Sequence, residues 1–293
     1  RIRKSYVNQK TKVISLNDIG DLTYPYQSLD GKIKTIFDIF KGHHDVSKEI
    51  LNSKKPLIIL GESLFELIYA KAIFILIKNF LKTNNKITED WNPINVLSVD
   101  ASTVGNLDLD IINNKKNIFD SLNNNQFEIV YLLGQDNLNF KKNNKFVIYQ
   151  GSHGDKGAEL ADIILPGSAY TEQNGHYTNL EGKIQKAFKA SYPPGEAKED
   201  WQIINNLAEF MNNRKLFNDK DELESSMFNY INLRKENSNQ SDIKDNNDEL
   251  IKDDNLQVIV KDYYFSNVIA RASKTMRECN NSKLEKKLTG TNG

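Results

Sequence analysis

Cysteine is nearly absent: Cys279 stands alone in 293 residues. No disulfide can form within the chain, and neither an iron–sulfur cluster nor a cysteine zinc site can be built from it alone. Histidine is scarce too, with only His43, His44, His153 and His176. Adjacent side chains on a helix or strand point apart, so His43 and His44 read as surface-loop residues and not as a shared metal site. Long apolar runs are missing. The most apolar stretch, AIFILI, covers Ala72 to Ile77 between Lys71 and Lys78. A membrane-spanning helix needs about 20 such residues. Net charge is missing as well: 39 basic residues balance 39 acidic ones. That excludes the basic footprint of a nucleic-acid binder. A neutral surface, with little self-repulsion, fits a protein held in an assembly. The chain opens RIRKS without an initiator methionine, and this is not a secretory signal. The expectation is a removed upstream segment, or a start where a longer relative is already mid-domain.

What is present is enough chain for one large or two modest domains. Hydrophobic residues make up 39%, with a mean hydropathy of -0.58. KVISL (Lys12 to Leu16) reads as a short strand. Apolar residues at Ile33, Ile36, Phe37 and Phe40 give helical spacing. KPLIILG, Lys55 to Gly61, reads as a buried parallel-type strand. A long apolar helix is expected over Ser63 to Leu81. Further strands are expected at Ile94 to Val99, Phe127 to Gly134, Lys145 to Gly151 and Ala161 to Pro166. Strands alternating with helices indicate an α/β domain with a mainly parallel sheet.

Irregular hairpin structure is expected up to about Ala190. Pro193, Pro194 and Gly195 then form a turn. Glu196, Glu199 and Asp200 precede a helix, where its dipole favours acidic groups. Trp201, Ile203, Ile204, Leu207, Ala208 and Phe210 give it an apolar stripe, expected to be buried. Residues 212–256 turn rich in Asn, Asp and Lys, and Arg234 to Asn255 cannot bury enough apolar surface to fold alone, so this part reads as a linker. Beyond it, Phe265, Val268, Ile269, Ala272, Met276 and Cys279 share one face of a helix that docks back, with Ser266 as its N-cap and Cys279 as a core thiol.

The stretch with most chemistry is GSHGDKGAELADIILPGSAYTEQNGHYTNLEGKIQ, Gly151 to Gln185. Gly151, Gly154 and Gly157 follow a strand, as phosphate-binding glycines do. Their spacing is G-x-x-G-x-x-G, no full helix is expected next and no Gly-Lys-Ser/Thr occurs, so a turn with unusual backbone angles is the better reading. His153 with Asp155, and His176 with Glu172, are candidate acid–base pairs. The first lies in a glycine loop, and Gly175 argues against the helix the second would need. No nucleophile elbow such as G-x-S-x-G is present. Hairpin or surface hydrogen bonding is the expected use of all four.

The segment GAELADIILPGSAYTEQNGHYTNLEGKIQKAFKASYPPGEAKEDWQIINNLAE resembles the signature of the molybdopterin oxidoreductase fold. It is most similar to the version in the largest iron–sulfur subunit of the peripheral arm of mitochondrial respiratory complex I (NADH:ubiquinone oxidoreductase, 75 kDa subunit type). RIRKS with DLTYPYQSL, and KKPLIILG, resemble the middle of that subunit. DYYFSNVIARASKTMREC resembles its C-terminal helix. The resemblance is strong over Gly151 to Glu209 and Asp262 to Cys279, looser from Arg1 to about Gln150, and absent from the Asn-rich linker.

The resemblance implies a subunit with two halves. The N-terminal half is ferredoxin-like and carries iron–sulfur clusters. The C-terminal half is a degenerate molybdopterin-enzyme domain without molybdenum, and only its later part is matched here. The clusters are therefore expected upstream or in a partner chain, together with any strands this sheet lacks. No catalytic, cofactor-binding or metal residue is expected in the chain itself. The expected organisation is a degenerate α/β domain over 1–211, incomplete at its N-terminus, a linker over 212–256, and a C-terminal helix and tail over 257–293. Two departures from active relatives favour a structural role: a linker and helix stand where a β-barrel domain would follow, and no residue stands out as a metal ligand. The expected function is that of a structural subunit, or split-subunit fragment, on the matrix side of the mitochondrial inner membrane. It would contact other peripheral-arm subunits and neither nucleic acid nor the membrane interior. The alternatives are a fragment of an active molybdopterin-dependent oxidoreductase, and a free nucleotide-binding module using Gly151 to Gly157.

Overall fold

The computed structural model describes residues 1–111, 118–135, 137–138, 140–237, 255–256, 265 and 267–288. The chain divides into two compact units. One comprises Arg1–Val99 with Gln240–Val260, the other Asp100–Asn239 with Lys261–Gly293.

In the first unit, α1 (Ile2–Gln9) buries no side chain. Strands β1 (Ile14–Ser15) and β2 (Gln27–Ser28) pair in parallel. Helix α2 (Ile33–Phe40) has the bounds its spacing predicts, and it buries Ile33, Ile36, Phe37, Ile39 and Phe40. His44 caps α3 (Asp45–Asn52): its Nδ1 accepts the Val46 N–H at 3.1 Å. That employs His44 in local structure. Strand β3 (Ile58–Gly61) follows, then a short 3₁₀ turn over Glu62–Glu66, helix α4 (Ala70–Thr83) and strand β4 (Ile94–Leu97), parallel to β3.

The core of this unit is the α2 stripe packed on Ile73, Ile77 and Leu81 of α4, with Ile58, Leu60 and Ile94 of the strands against it. Phe40 meets Phe80 edge-on at 5.6 Å, a favoured aromatic geometry. The single helix expected over Ser63 to Leu81 is interrupted. Leu67 is extended, and the Glu62 carboxylate anchors the preceding turn by accepting the Val99 N–H at 2.6 Å. Leu64, Phe65, Leu67 and Ile68 are as apolar as the residues that follow, so the run itself does not mark such a break. Strand β3 also departs from expectation. Leu60 faces the core, but Leu57 and Ile59 are exposed, as are Leu97 and Val99 beside them.

In the second unit come α5 (Thr103–Asp108), α6 (Ile118–Asn123), β5 (Ile129–Leu133), β6 (Phe146–Gly151), α7 (Lys156–Leu160) and β7 (Ile163–Pro166). The three strands form a parallel sheet in the order β5-β6-β7. Val130, Leu132, Val147 and Tyr149 cover one face with Leu122 and Phe140. On the opposite face Ile129, Leu133, Phe146 and Ile163 are exposed. Lys145 is buried, with its ammonium held by Asn125 Oδ1 at 2.6 Å and the Lys141 carbonyl at 3.0 Å, so the charge keeps hydrogen-bond partners.

The irregular hairpin proves to be regular over β8 (Gly175–Thr178) and β9 (Ile184–Ala187), an antiparallel pair against which α5 packs. Helix α8 (Asp200–Asn212) starts where the acidic residues predict. Its apolar stripe is only partly covered: Trp201, Ile203, Ile204 and Ala208 are half-buried, but Leu207 is exposed and Phe210 is 88% exposed, whereas Asn205 is buried. The Asn205 amide explains this. Its Oδ1 accepts the N–H groups of Leu216 and Phe217 at 2.8 and 3.1 Å, and its Nδ2 donates to the Phe217 carbonyl at 2.9 Å. The helix therefore turns its amide side toward the following loop.

Helix α9 (Lys220–Asn237) occupies the first half of the segment read from composition as a linker. Residues 238–254 of that segment lie outside the described ones. The C-terminal helix is split by extended Ser273 into α10 (Val268–Ala272) and α11 (Lys274–Leu288). Asn267 caps α10, its Oδ1 accepting the Ala270 N–H at 2.9 Å, while the expected cap Ser266 lies outside the described residues. Val268, Ile269 and Met276 are half-buried, but Cys279 is exposed and is not a core thiol. No helix among the described residues is long and apolar enough to cross a membrane.

Ile77→Ala, at a fully buried position of α4, is expected to cost about 3 kcal/mol. Ile68→Ser, at a site 88% exposed, is expected to stay within about 0.5 kcal/mol. Urea unfolding of the two variants measures the difference.

Candidate functional site

A cavity of about 340 Å³ opens where β6 and β7 end. Ligand crevices of parallel α/β sheets form at this carboxyl edge. Its walls are Gly151, Ser152 and His153 at the end of β6, Pro166, Gly167, Ala169 and Glu172 at the end of β7, and Pro194, Glu196 and Ala197 before α8. The sequence stretch singled out above thus supplies two of three walls.

Underneath lies a polar network. Gln150, the last buried side chain of β6, is 0% exposed. Its Nε2 donates to Asp200 Oδ1 at 2.7 Å and its Oε1 accepts the Tyr131 hydroxyl. Gln173 Nε2 donates to Asp200 Oδ2 at 3.0 Å. Asp200 sits in the first turn of α8, where the helix dipole also favours its charge. Burial, and next the nearby Asp200 carboxylate, push the Tyr131 phenol up.

Glycines make the strand ends fit. A Cβ on Gly151 would overlap the ring and hydroxyl of Tyr149, and one on Gly167 would come within 2.8 Å of Asp200 Oδ1. None of Gly151, Gly154 and Gly157 has positive φ, so close approach at Gly151, and not an unusual backbone angle, is what the first glycine serves. A helix does follow the loop, but α7 is only five residues long.

The candidate acid–base pairs are not assembled. His153 Nδ1 lies 3.0 Å from Ser152 Oγ, and its carbonyl accepts the Tyr149 hydroxyl at 2.7 Å. Asp155 accepts the Lys156 N–H at 2.9 Å as N-cap of α7 and pairs with Arg271 Nε at 3.2 Å. Glu172 accepts the Ala169 N–H at 2.9 Å. His176 faces Glu224 of α9 at 4.0 Å and meets Phe228 edge-on at 5.3 Å. The titratable groups are thus used in local and interhelical bonding. No group of three or more His, Cys, Asp or Glu able to hold a metal occurs among the described residues.

Sequence reasoning missed the ties of α9. Lys220 Nζ donates to Glu199 Oε2 and to the Asn174 carbonyl, both at 2.7 Å. Glu224 accepts from Lys186 Nζ of β9 at 2.9 Å. Arg234 donates to the Leu107 carbonyl and, at 3.0 Å, to Asp110. These partners lie far apart in sequence, so no local pattern announces them.

The N-terminal 210 residues match the family model described as Molybdopterin oxidoreductase. The chain belongs to the molybdopterin oxidoreductase family. Residues 222–279 match a second model, which describes the C-terminal region of an NADH-ubiquinone oxidoreductase subunit. This member of the family is similar to the NADH-ubiquinone oxidoreductase 75 kDa subunit of Reclinomonas americana, with 36% identity over 95% of this chain and 42% of that protein. It is also similar to the mitochondrial NADH-ubiquinone oxidoreductase 78 kDa subunit of Candida albicans, at 33% identity over 95% of this chain and 40% of that protein. The mitochondrial NADH dehydrogenase (ubiquinone) iron-sulfur protein 1 of Solanum tuberosum is 30% identical over 95% of this chain and 38% of its own length. The chain therefore spans about two fifths of the length of the curated relatives it matches.

Two carboxyls at the α9 contact, Glu199 in the molybdopterin-oxidoreductase match and Glu224 in the C-terminal one, are held below the usual carboxylate range. For Glu199 burial works against the charge, but hydrogen bonds from Lys220 and Trp201 and the nearby charges of Lys220 and Lys189 outweigh it. For Glu224 the Lys186 hydrogen bond is the largest cause. A carboxyl lowered on folding adds stability above its unfolded pKa, and the contribution is lost as pH falls through the folded one. Amide exchange of α9, corrected for intrinsic rate, is therefore expected to accelerate relative to β6 as pH drops below the carboxylate range. Glu224→Gln should already be looser at neutral pH and respond less to acid. Separately, Gln150→Leu leaves the buried side of Asp200 and Tyr131 without its amide partner and is expected to cost about 2 kcal/mol in urea unfolding. Tyr131→Phe, which removes one hydroxyl, should cost less.

Proposed function

We propose that this chain is a structural part of the peripheral arm of mitochondrial complex I. It supports NADH-to-ubiquinone electron transfer without carrying a redox centre. The observation that carries the reading is the joint match in one chain: a molybdopterin-oxidoreductase region followed by the C-terminal region of an NADH-ubiquinone oxidoreductase subunit. The names of the relatives point the same way. The iron–sulfur clusters are assigned to an upstream half or a partner chain, since Cys279 is the only cysteine here. The proposed location is the matrix side of the inner membrane, in contact with other peripheral-arm subunits.

The cavity fits a structural role. Glu172 holds a backbone N–H, His153 is engaged by Ser152 and Tyr149, and Asp155 is engaged by α7 and Arg271. The open face of β5-β6-β7 supports burial against further protein. A parallel sheet is stable with both faces covered, and Ile129, Leu133, Phe146 and Ile163 stand uncovered here. The residue ranges 1–211, 212–256 and 257–293 remain the proposed division into domain, connecting segment and C-terminal helix.

The test is to isolate the native assembly through a tag on this chain and measure NADH:ubiquinone activity and metal content. Co-purifying complex I activity with iron and no stoichiometric molybdenum or tungsten is the expected result. Molybdenum or tungsten bound in proportion to this chain would instead establish an active molybdopterin oxidoreductase. Nucleotide protection of 151–157 from exchange would favour a nucleotide-binding module.

A further inference from the structure

We propose that the C-terminal segment around α10 is a strap that holds the cavity-forming loop after β6, fastened by the Arg271–Asp155 ion pair. Gly151, Ser152 and His153 of this loop form one wall of the cavity, and Asp155 lies two residues beyond them. The loop backbone is steadied from within by the Tyr149 hydroxyl on the His153 carbonyl, and at its end by Asp155 capping α7. Arg271 reaches it from a part of the chain 116 residues away. Its Nε donates to Asp155 Oδ2 at 3.2 Å, while Nη1 donates to the Phe265 carbonyl at 3.2 Å. The guanidinium therefore ties the loop to the backbone at the entry of α10.

The two side chains are 20% and 31% exposed, less open than an ordinary surface pair. Partial desolvation strengthens the attraction. The strap itself is well placed to act as a unit. Asn267 caps α10, and extended Ser273 ends it, so the five-residue helix is set off from α11. Asp155 has two separable tasks: Oδ1 caps α7 and Oδ2 takes the arginine. The cavity wall and the C-terminal segment are thus energetically coupled, and this holds independently of the complex I reading.

The test is hydrogen exchange on the full chain, in the assembly with which it purifies. Asp155→Asn keeps an acceptor for the Lys156 N–H but removes the charge, and Arg271→Gln removes the other partner. Each is expected to speed exchange of residues 152–158 about fivefold, and the double variant no further, because both break one contact. Raised salt should move the wild type toward the variants. No acceleration in either single variant, or fully additive effects in the double, would overturn the proposal. So would acceleration that spreads equally to β5, residues 129–133, because it would report loss of the fold and not release of a strap.

Discussion

The side-chain amide of Gln150 is the constraint on which this part of the molecule turns. It is fully buried at the carboxyl end of the central strand, and a buried amide left without partners is costly. Asp200 and Tyr131 supply those partners. That requirement fixes the start of α8 over the sheet edge. Gln173 then reaches the second oxygen of the same carboxylate and brings in the chain that leads to the hairpin. Gly167 must lack a side chain for Asp200 to sit there. The walls of the cavity follow from this one junction, since strand end, post-β7 loop and pre-α8 turn all converge on it.

The same junction shows how polar groups around the cavity are used to hold elements together. Carboxylates in the region are engaged by backbone donors, lysines and arginine, and the imidazoles of His153 and His176 by Ser152 and by Glu224 and Phe228. They pin elements together across long stretches of sequence. Glu199 shows this most fully: it takes part in a capping box with Gln202, accepts from the Trp201 indole and pairs with Lys220.

Much of the fold was legible in the sequence because its signals are local. The spacing of Ile33, Ile36, Phe37 and Phe40 yields α2, and the compact apolar runs yield β3 to β7. The cavity was partly legible too, as glycines, proline and histidines crowd Gly151 to Gln185. What failed to show was anything decided by distant partners. The apolar stripe of α8 reveals which side chains dislike water but not whether anything covers them. Composition over 212–256 pointed away from structure, yet α9 forms, with Lys220, Glu224 and Arg234 finding charges at the start of α8, on the hairpin and just beyond α5. Cys279 lay on a plausible stripe, but the helix is interrupted at extended Ser273 and the thiol, one turn beyond half-buried Met276, is exposed.

The way α9 is fastened has a practical consequence. Its named ties are lysine, arginine and carboxylate contacts, several of them a third or more exposed, with Ile231 its one deeply buried apolar residue among those described. Such contacts weaken as counterions gather around them. Extraction buffers rich in salt would therefore loosen this helix while leaving the apolar cores intact. Two preparations of the same assembly, washed differently, could then differ in protease sensitivity at α9 without any difference in composition.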